Sequence, residues 1–236
     1  MASISEYARM CDAVYSDDPQ VESWTRVAFK ASGDGWSNAF QGAAFRLGGE
    51  IVFACKGTSQ KRDVLADLKL GVGMNSSQFS RAEKFIKETG TGGATTVTVT
   101  GHSLGGAIAQ IAGHRNKLRF VTFNAPGVAL YSRNVDQMVA SLGIGLAIRT
   151  VGTVVSAVRH PMQAARDLKA AFRKSNGVNI RLGKDVVGSI GVHMGKVIEI
   201  PYSGGAMDVM AKHKIGSVIE ALGKNPMGTR KLAELL

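Results

Sequence analysis

The pentapeptide Gly101-His102-Ser103-Leu104-Gly105 constrains this chain more than any other feature. It follows the β-branched run Thr95-Thr96-Val97-Thr98-Val99-Thr100 and opens the small, apolar, helix-forming stretch Leu104 to Ala112. Among 29 glycines a bare Gly-x-Ser-x-Gly carries little information. Its place between a strand and a helix is what matters, because a sharp strand-to-helix turn with glycines on either side projects the serine hydroxyl from its tip. Ser103 is therefore the candidate nucleophile.

The flanking pattern sets the fold class. Ile51 to Cys55 is a continuous apolar run, as expected of a strand covered on both faces. Arg119 to Phe123, Val178 to Leu182 and Lys196 to Ile200 read as further strands, and Trp24 to Lys30 with Ala43 to Leu47 as an antiparallel meander. Helical spacing is present in Ser5 to Val14, where Asp17-Asp18-Pro19 supplies a stop, around Phe79, Ala82, Phe85 and Ile86, and in Ile215 to Leu222. A strand, the Leu104 helix and a second strand make a right-handed βαβ unit, so the expected class is α/β with a mostly parallel sheet flanked by helices. A single domain over residues 1–236 is expected, and 44% hydrophobic residues suffice to fill its core. Cys11 and Cys55 read as free thiols in apolar surroundings.

A serine hydroxyl needs a histidine to take its proton and an acid to orient that histidine. Of five histidines, His102 adjoins the serine and should point away from it, His114 closes the helix, and His160 precedes Pro161 in a loop. His193 and His213 both follow a plausible acid in the order Ser, Asp, His. Asp185, just past the Val178 to Leu182 strand, is the best acid; Asp167 and Asp208 read as solvated charges.

Charge is unevenly placed. Lys+Arg 29 against Asp+Glu 18 gives +11, and residues 131–184 hold nine basic and two acidic residues, so 9 − 2 = +7 of it lies there. Residues 131–177 are expected to form a helical basic insertion. Within it, Met138 to Val158 approaches the length of a membrane span, but Arg149 at its centre and repeated glycines argue against one. A cap over the core is one reading. The other lays this stretch and the amphipathic Met162 to Lys174 on an anionic bilayer.

These motifs resemble the class 3 lipases, the fungal-type lipases and their bacterial and plant relatives, of the α/β-hydrolase superfamily. The resemblance rests on Val97 to Ala107, on Ile51 to Thr58 followed by Asp63 to Leu68, and on Val121-Thr122-Phe123-Asn124-Ala125-Pro126-Gly127. It implies a Ser103, Asp185, His213 triad, with His193-Met194-Gly195 as a structural His-x-Gly and His213 preferred over His193. It also implies Thr58 and Leu104 as oxyanion donors and a lid over Ser59 to Leu68. The chain departs from the family at Lys56, where arginine is usual, at Val64, where tryptophan is usual, and in lacking a His-x-Gly-Phe near Gly71 to Met74.

The expectation is thus a serine hydrolase of lipid carboxylic esters, with phospholipid slightly favoured over triacylglycerol. Its partners would be a lipid substrate and an anionic membrane surface. No metal or organic cofactor is implied, and no nucleic-acid partner is expected, since no aromatic-rich basic motif or zinc spacing is present. The rival is an idle hydrolase-fold module that holds membrane or nucleic acid through the basic insertion. The first ten residues show no secretion signal. Synthesis in the cytoplasm is expected, with any export, as of an effector, by a non-classical route.

Overall fold

The computed structural model describes residues 1–32, 40–57, 76–128, 175–202 and 209–236. Among these residues a seven-stranded sheet runs in the order β1 (Thr25–Ser32), β2 (Phe40–Leu47), β3 (Glu50–Cys55), β4 (Thr96–His102), β5 (Arg119–Phe123), β6 (Gly177–Leu182) and β7 (Lys196–Ile200). The first two pairings are antiparallel, as the meander requires, and the next four are parallel. The expected α/β class is what the chain adopts.

Strand alternation divides the core into two. Along β3, Val52 and Ala54 face one apolar layer while Ile51, Phe53 and Cys55 face the other. Both layers are closed by helices, which is why the whole strand is buried. Helices α1 (Ile4–Ala13) and α5 (Ile215–Gly223) cover the first face through Tyr7, Met10, Val218 and Leu222. Helices α2 (Ser76–Thr89) and α3 (Leu104–Arg115) cover the second through Phe79, Phe85, Ile108 and Ile111. A short helix α4 (Val209–His213) precedes α5.

Helix α1 begins with a capping box, in which the Ser3 hydroxyl accepts from the Glu6 amide and the Glu6 carboxylate accepts from the Ser3 amide. It ends at Ala13, before the Asp17-Asp18-Pro19 stop. The Tyr15 and Ser16 amides turn back to the carbonyls of Asp12 and Ala13, which tightens the end of the helix and frees Tyr15 from its face.

On β4 the period of two puts Thr98, Thr100 and His102 on the α1 side. Their polar atoms are all met: Thr98 lies against the Tyr7 hydroxyl, and Thr100 donates to the Val121 carbonyl and contacts the Cys11 sulfur. Cys11 and Cys55 are buried free thiols, as expected. Of the 131–177 insertion only residues 175–177 are described, with Gly177 already opening β6, and the expected lid lies outside the described residues.

Candidate active site

The carboxyl ends of the parallel strands carry the site. β4 ends at His102, and Ser103 follows with φ 56° and ψ −128°, a backbone conformation that L-residues rarely adopt. The turn is held by three main-chain bonds: the Ser103 amide donates to Phe123 at 3.1 Å, and the Gly106 and Ala107 amides donate to the Ser103 carbonyl. Both flanking glycines are required by close approach. A Cβ on Gly101 would overlap the Gly105 carbonyl, and one on Gly105 would overlap the Cys55 carbonyl.

Three of the expected residues meet at this turn. His213 Nε2 lies 2.8 Å from Ser103 Oγ, and His213 Nδ1 lies 3.1 Å from Asp185 Oδ1. A carboxylate only accepts, so Nδ1 carries the proton and Nε2 is left to accept from the serine hydroxyl. All three side chains are buried, which strengthens each bond by excluding water. Asp185 sits three residues beyond β6, where its other oxygen accepts the Gly188 amide at 2.5 Å and its carbonyl accepts the Ser189 hydroxyl. His213 closes α4 at the opposite wall.

His193 and His114 part company with the serine. His193 Nε2 donates to the Ala125 carbonyl at 2.8 Å, and the neighbouring Met194 amide donates to Gln110, so this His-x-Gly ties two loops together. His114 meets Ser175. His160, Asp167 and Asp208 lie outside the described residues, as does Thr58. Leu104 opens α3, so its amide is one of the first-turn donors that have no carbonyl partner within the helix. Lys56, the departure from arginine, donates to Gln41 Oε1 at 2.8 Å, and Gln41 in turn donates to the carbonyls of Val14 and Ser16. Among the described residues no cluster of three or more His, Cys, Asp or Glu side chains is placed to hold a metal.

Sequence reasoning missed two residues here. His102 makes no hydrogen bond to Ser103 among the described residues; its ring packs 4.9 Å from that of His213, and its Nε2 lies 2.5 Å from the His213 carbonyl oxygen. The alternation of Thr98, Thr100 and His102 was the available clue. Asn124, buried and with φ 44°, donates from Nδ2 to the Lys212 carbonyl at 2.9 Å and accepts the Leu182 amide at Oδ1. Its positive φ is a conformation that favours glycine first and asparagine among the other residue types.

The model of a Tle-like phospholipase domain matches residues 6–147, more than half of the chain. The extracellular phospholipase A1 of Serratia liquefaciens is 31% identical over 97 residues, which is 41% of this chain and 30% of that protein. The chain thus matches less than a third of that relative's length. Among solved structures, an MDLA mutant from Penicillium cyclopium aligns with a TM-score of 0.50 at 15% identity, covering 87% of this chain and 80% of that one. A triacylglycerol lipase from Penicillium expansum aligns at 0.47 and 14%, covering 84% and 79%. The first of these likenesses bears on the fold alone.

Proposed function

This chain belongs to the Tle-like phospholipase domain family, and from that membership we propose that it hydrolyses the acyl ester bonds of phospholipids through Ser103, His213 and Asp185. The observation that supports the chemistry is the continuous chain of hydrogen bonds from the serine hydroxyl through the imidazole to a buried carboxylate. The substrate class is supported by the family description and by the phospholipase A1 relative.

In this reading His213 Nε2 takes the Ser103 proton as Oγ attacks the acyl carbonyl. Asp185 keeps Nδ1 protonated and stabilises the imidazolium that forms. The Leu104 amide and Thr58 hold the oxyanion. His213 then passes its proton to the departing glycerol oxygen, and water, deprotonated by the same nitrogen, releases the fatty acid from the acyl-enzyme. No step calls on a metal or an organic cofactor.

Hydrolysis of a short-chain nitrophenyl ester and of defined phosphatidylcholines, with the released acyl position identified, tests this. Ser103→Ala should lower kcat by about 10⁴ or more with the fold retained. Activity that survives the substitution, or a wild type inert to every ester, favours the idle binding module instead. The basic segment 131–184 would bring the enzyme to an anionic membrane surface. Equal co-sedimentation with neutral and anionic vesicles would remove that electrostatic role.

A further inference from the structure

Burial has placed a second imidazole behind the proposed base, and its partners are specific. His102 lies between three elements: its own strand β4, the end of α4, and the turn after α1. Its Nε2 is 2.5 Å from the His213 carbonyl, and its Nδ1 is 3.4 Å from the Tyr15 hydroxyl. The Tyr15 ring meets the His102 ring edge-on at 6.4 Å. On its far side the same hydroxyl lies against the Gly57 amide, in the segment that leads to Thr58.

These contacts select one state of the ring. A carbonyl oxygen only accepts, so Nε2 must carry the proton, and Nδ1 is left with the lone pair that the Tyr15 O–H can meet. The other tautomer would set a nitrogen lone pair against a carbonyl lone pair. Burial, followed by the nearness of His213, pushes His102 down to about 3, so the ring stays neutral. Neutrality suits the place, because a charged ring 4.9 Å away would oppose the positive charge that His213 gains during the reaction.

We propose that Tyr15 and His102 are positioning residues that fix the main chain of His213 and tie it to the strand leading into the oxyanion loop. The inference rests on the hydrolase reading above. Neither side chain touches the reacting atoms. Tyr15 sets the His102 tautomer, His102 holds the His213 carbonyl, and Asn124 holds the adjoining Lys212 carbonyl. The main chain of His213 and the Gly57 amide just past β3 are thereby anchored to a common pair of side chains. A displacement of the order of 1 Å at such a base costs about a hundredfold in rate.

The test uses the full chain as wild type, Tyr15→Phe, His102→Gln and His102→Leu. Thermal unfolding establishes that each folds, kcat and KM are measured on a short-chain nitrophenyl ester, and Ser103 labelling by a fluorophosphonate gives a second measure of nucleophile activation. Tyr15→Phe keeps the packing and removes only the hydroxyl; it should lower kcat and labelling about tenfold with KM within about twofold, and His102→Leu should lower both about a hundredfold. His102→Gln, which retains an N–H donor for the carbonyl, should recover most of the loss. Wild-type kcat in Tyr15→Phe, a change confined to KM, or His102→Gln no better than His102→Leu overturns the proposal and leaves these residues as packing. If His102→Leu does not fold, Tyr15→Phe and His102→Gln against wild type decide it. A wild type inert to both reagents overturns the hydrolase reading and the proposal with it, whereas an active wild type with an unchanged Tyr15→Phe overturns the proposal alone.

Discussion

Asp185 shows how much one carboxylate is asked to do. Its two oxygens receive two N–H donors, His213 Nδ1 and the Gly188 amide. An asparagine in its place has a single acceptor oxygen, so its NH₂ group must face one of those donors, and the imidazole can escape by changing tautomer. His213 would then offer a proton, not a lone pair, to Ser103. Asp185→Asn is expected to lower kcat by about 10⁴ with the fold intact. A loss under tenfold in steady-state kinetics would mean that the carboxylate does not set the tautomer. Ser103, Asp185 and His213 were all readable as residue types in order along the chain, the last two with help from family resemblance. His102 was not, because adjacency to the serine said only what it would avoid, and its partner Tyr15 lies 87 positions away.

At the scale of elements, α1 does more than cover the sheet. Tyr7 lies within it, and its hydroxyl donates to Glu50 Oε1 at 2.7 Å, while the Ala2 amide donates to the other carboxylate oxygen at 2.6 Å. Burial and the Glu50 carboxylate both raise the Tyr7 phenol above its ordinary value, so it remains a donor. Tyr7→Phe would leave a buried carboxylate oxygen short of a partner, and a loss of about 1–3 kcal/mol is expected from urea unfolding. A change below about 0.5 kcal/mol would show that Thr98 or water takes over. The pattern of helical spacing over Ser5 to Val14 found α1 and placed each of its ends within one residue. What the pattern did not record is the tight turn ahead of Asp17-Asp18-Pro19, which brings Tyr15 to His102 on the same side of the sheet.

The whole molecule should respond to acid through its buried histidines. His102 is held down to about 3 by burial, against an ordinary 6.5, and burial lowers His114 as well, with Arg115 adding to it. Between these limits the unfolded chain binds protons that the folded chain refuses. The stability they confer is present above about pH 6.5 and is lost as the pH falls from there towards 3. Urea unfolding at pH 7.5 and pH 4.5 should therefore give a lower free energy at the acid value, with part of the difference missing in His102→Gln. An equal difference in that variant would assign the acid sensitivity elsewhere. By itself the sequence determined the α/β class, the parallel strands and the position of the nucleophile, because strand alternation, helical spacing and the glycine-flanked turn are local rules written in neighbouring residues. It also located the charge in residues 131–184, of which 131–174 lie outside the described residues. Only the tertiary structure decided between His193 and His213 on geometry and revealed Tyr15, His102 and Asn124 behind the base. Those contacts join residues 87 to 111 positions apart, and a hydrogen bond across the fold depends on where the sheet and its helices bring two groups, which no local pattern records.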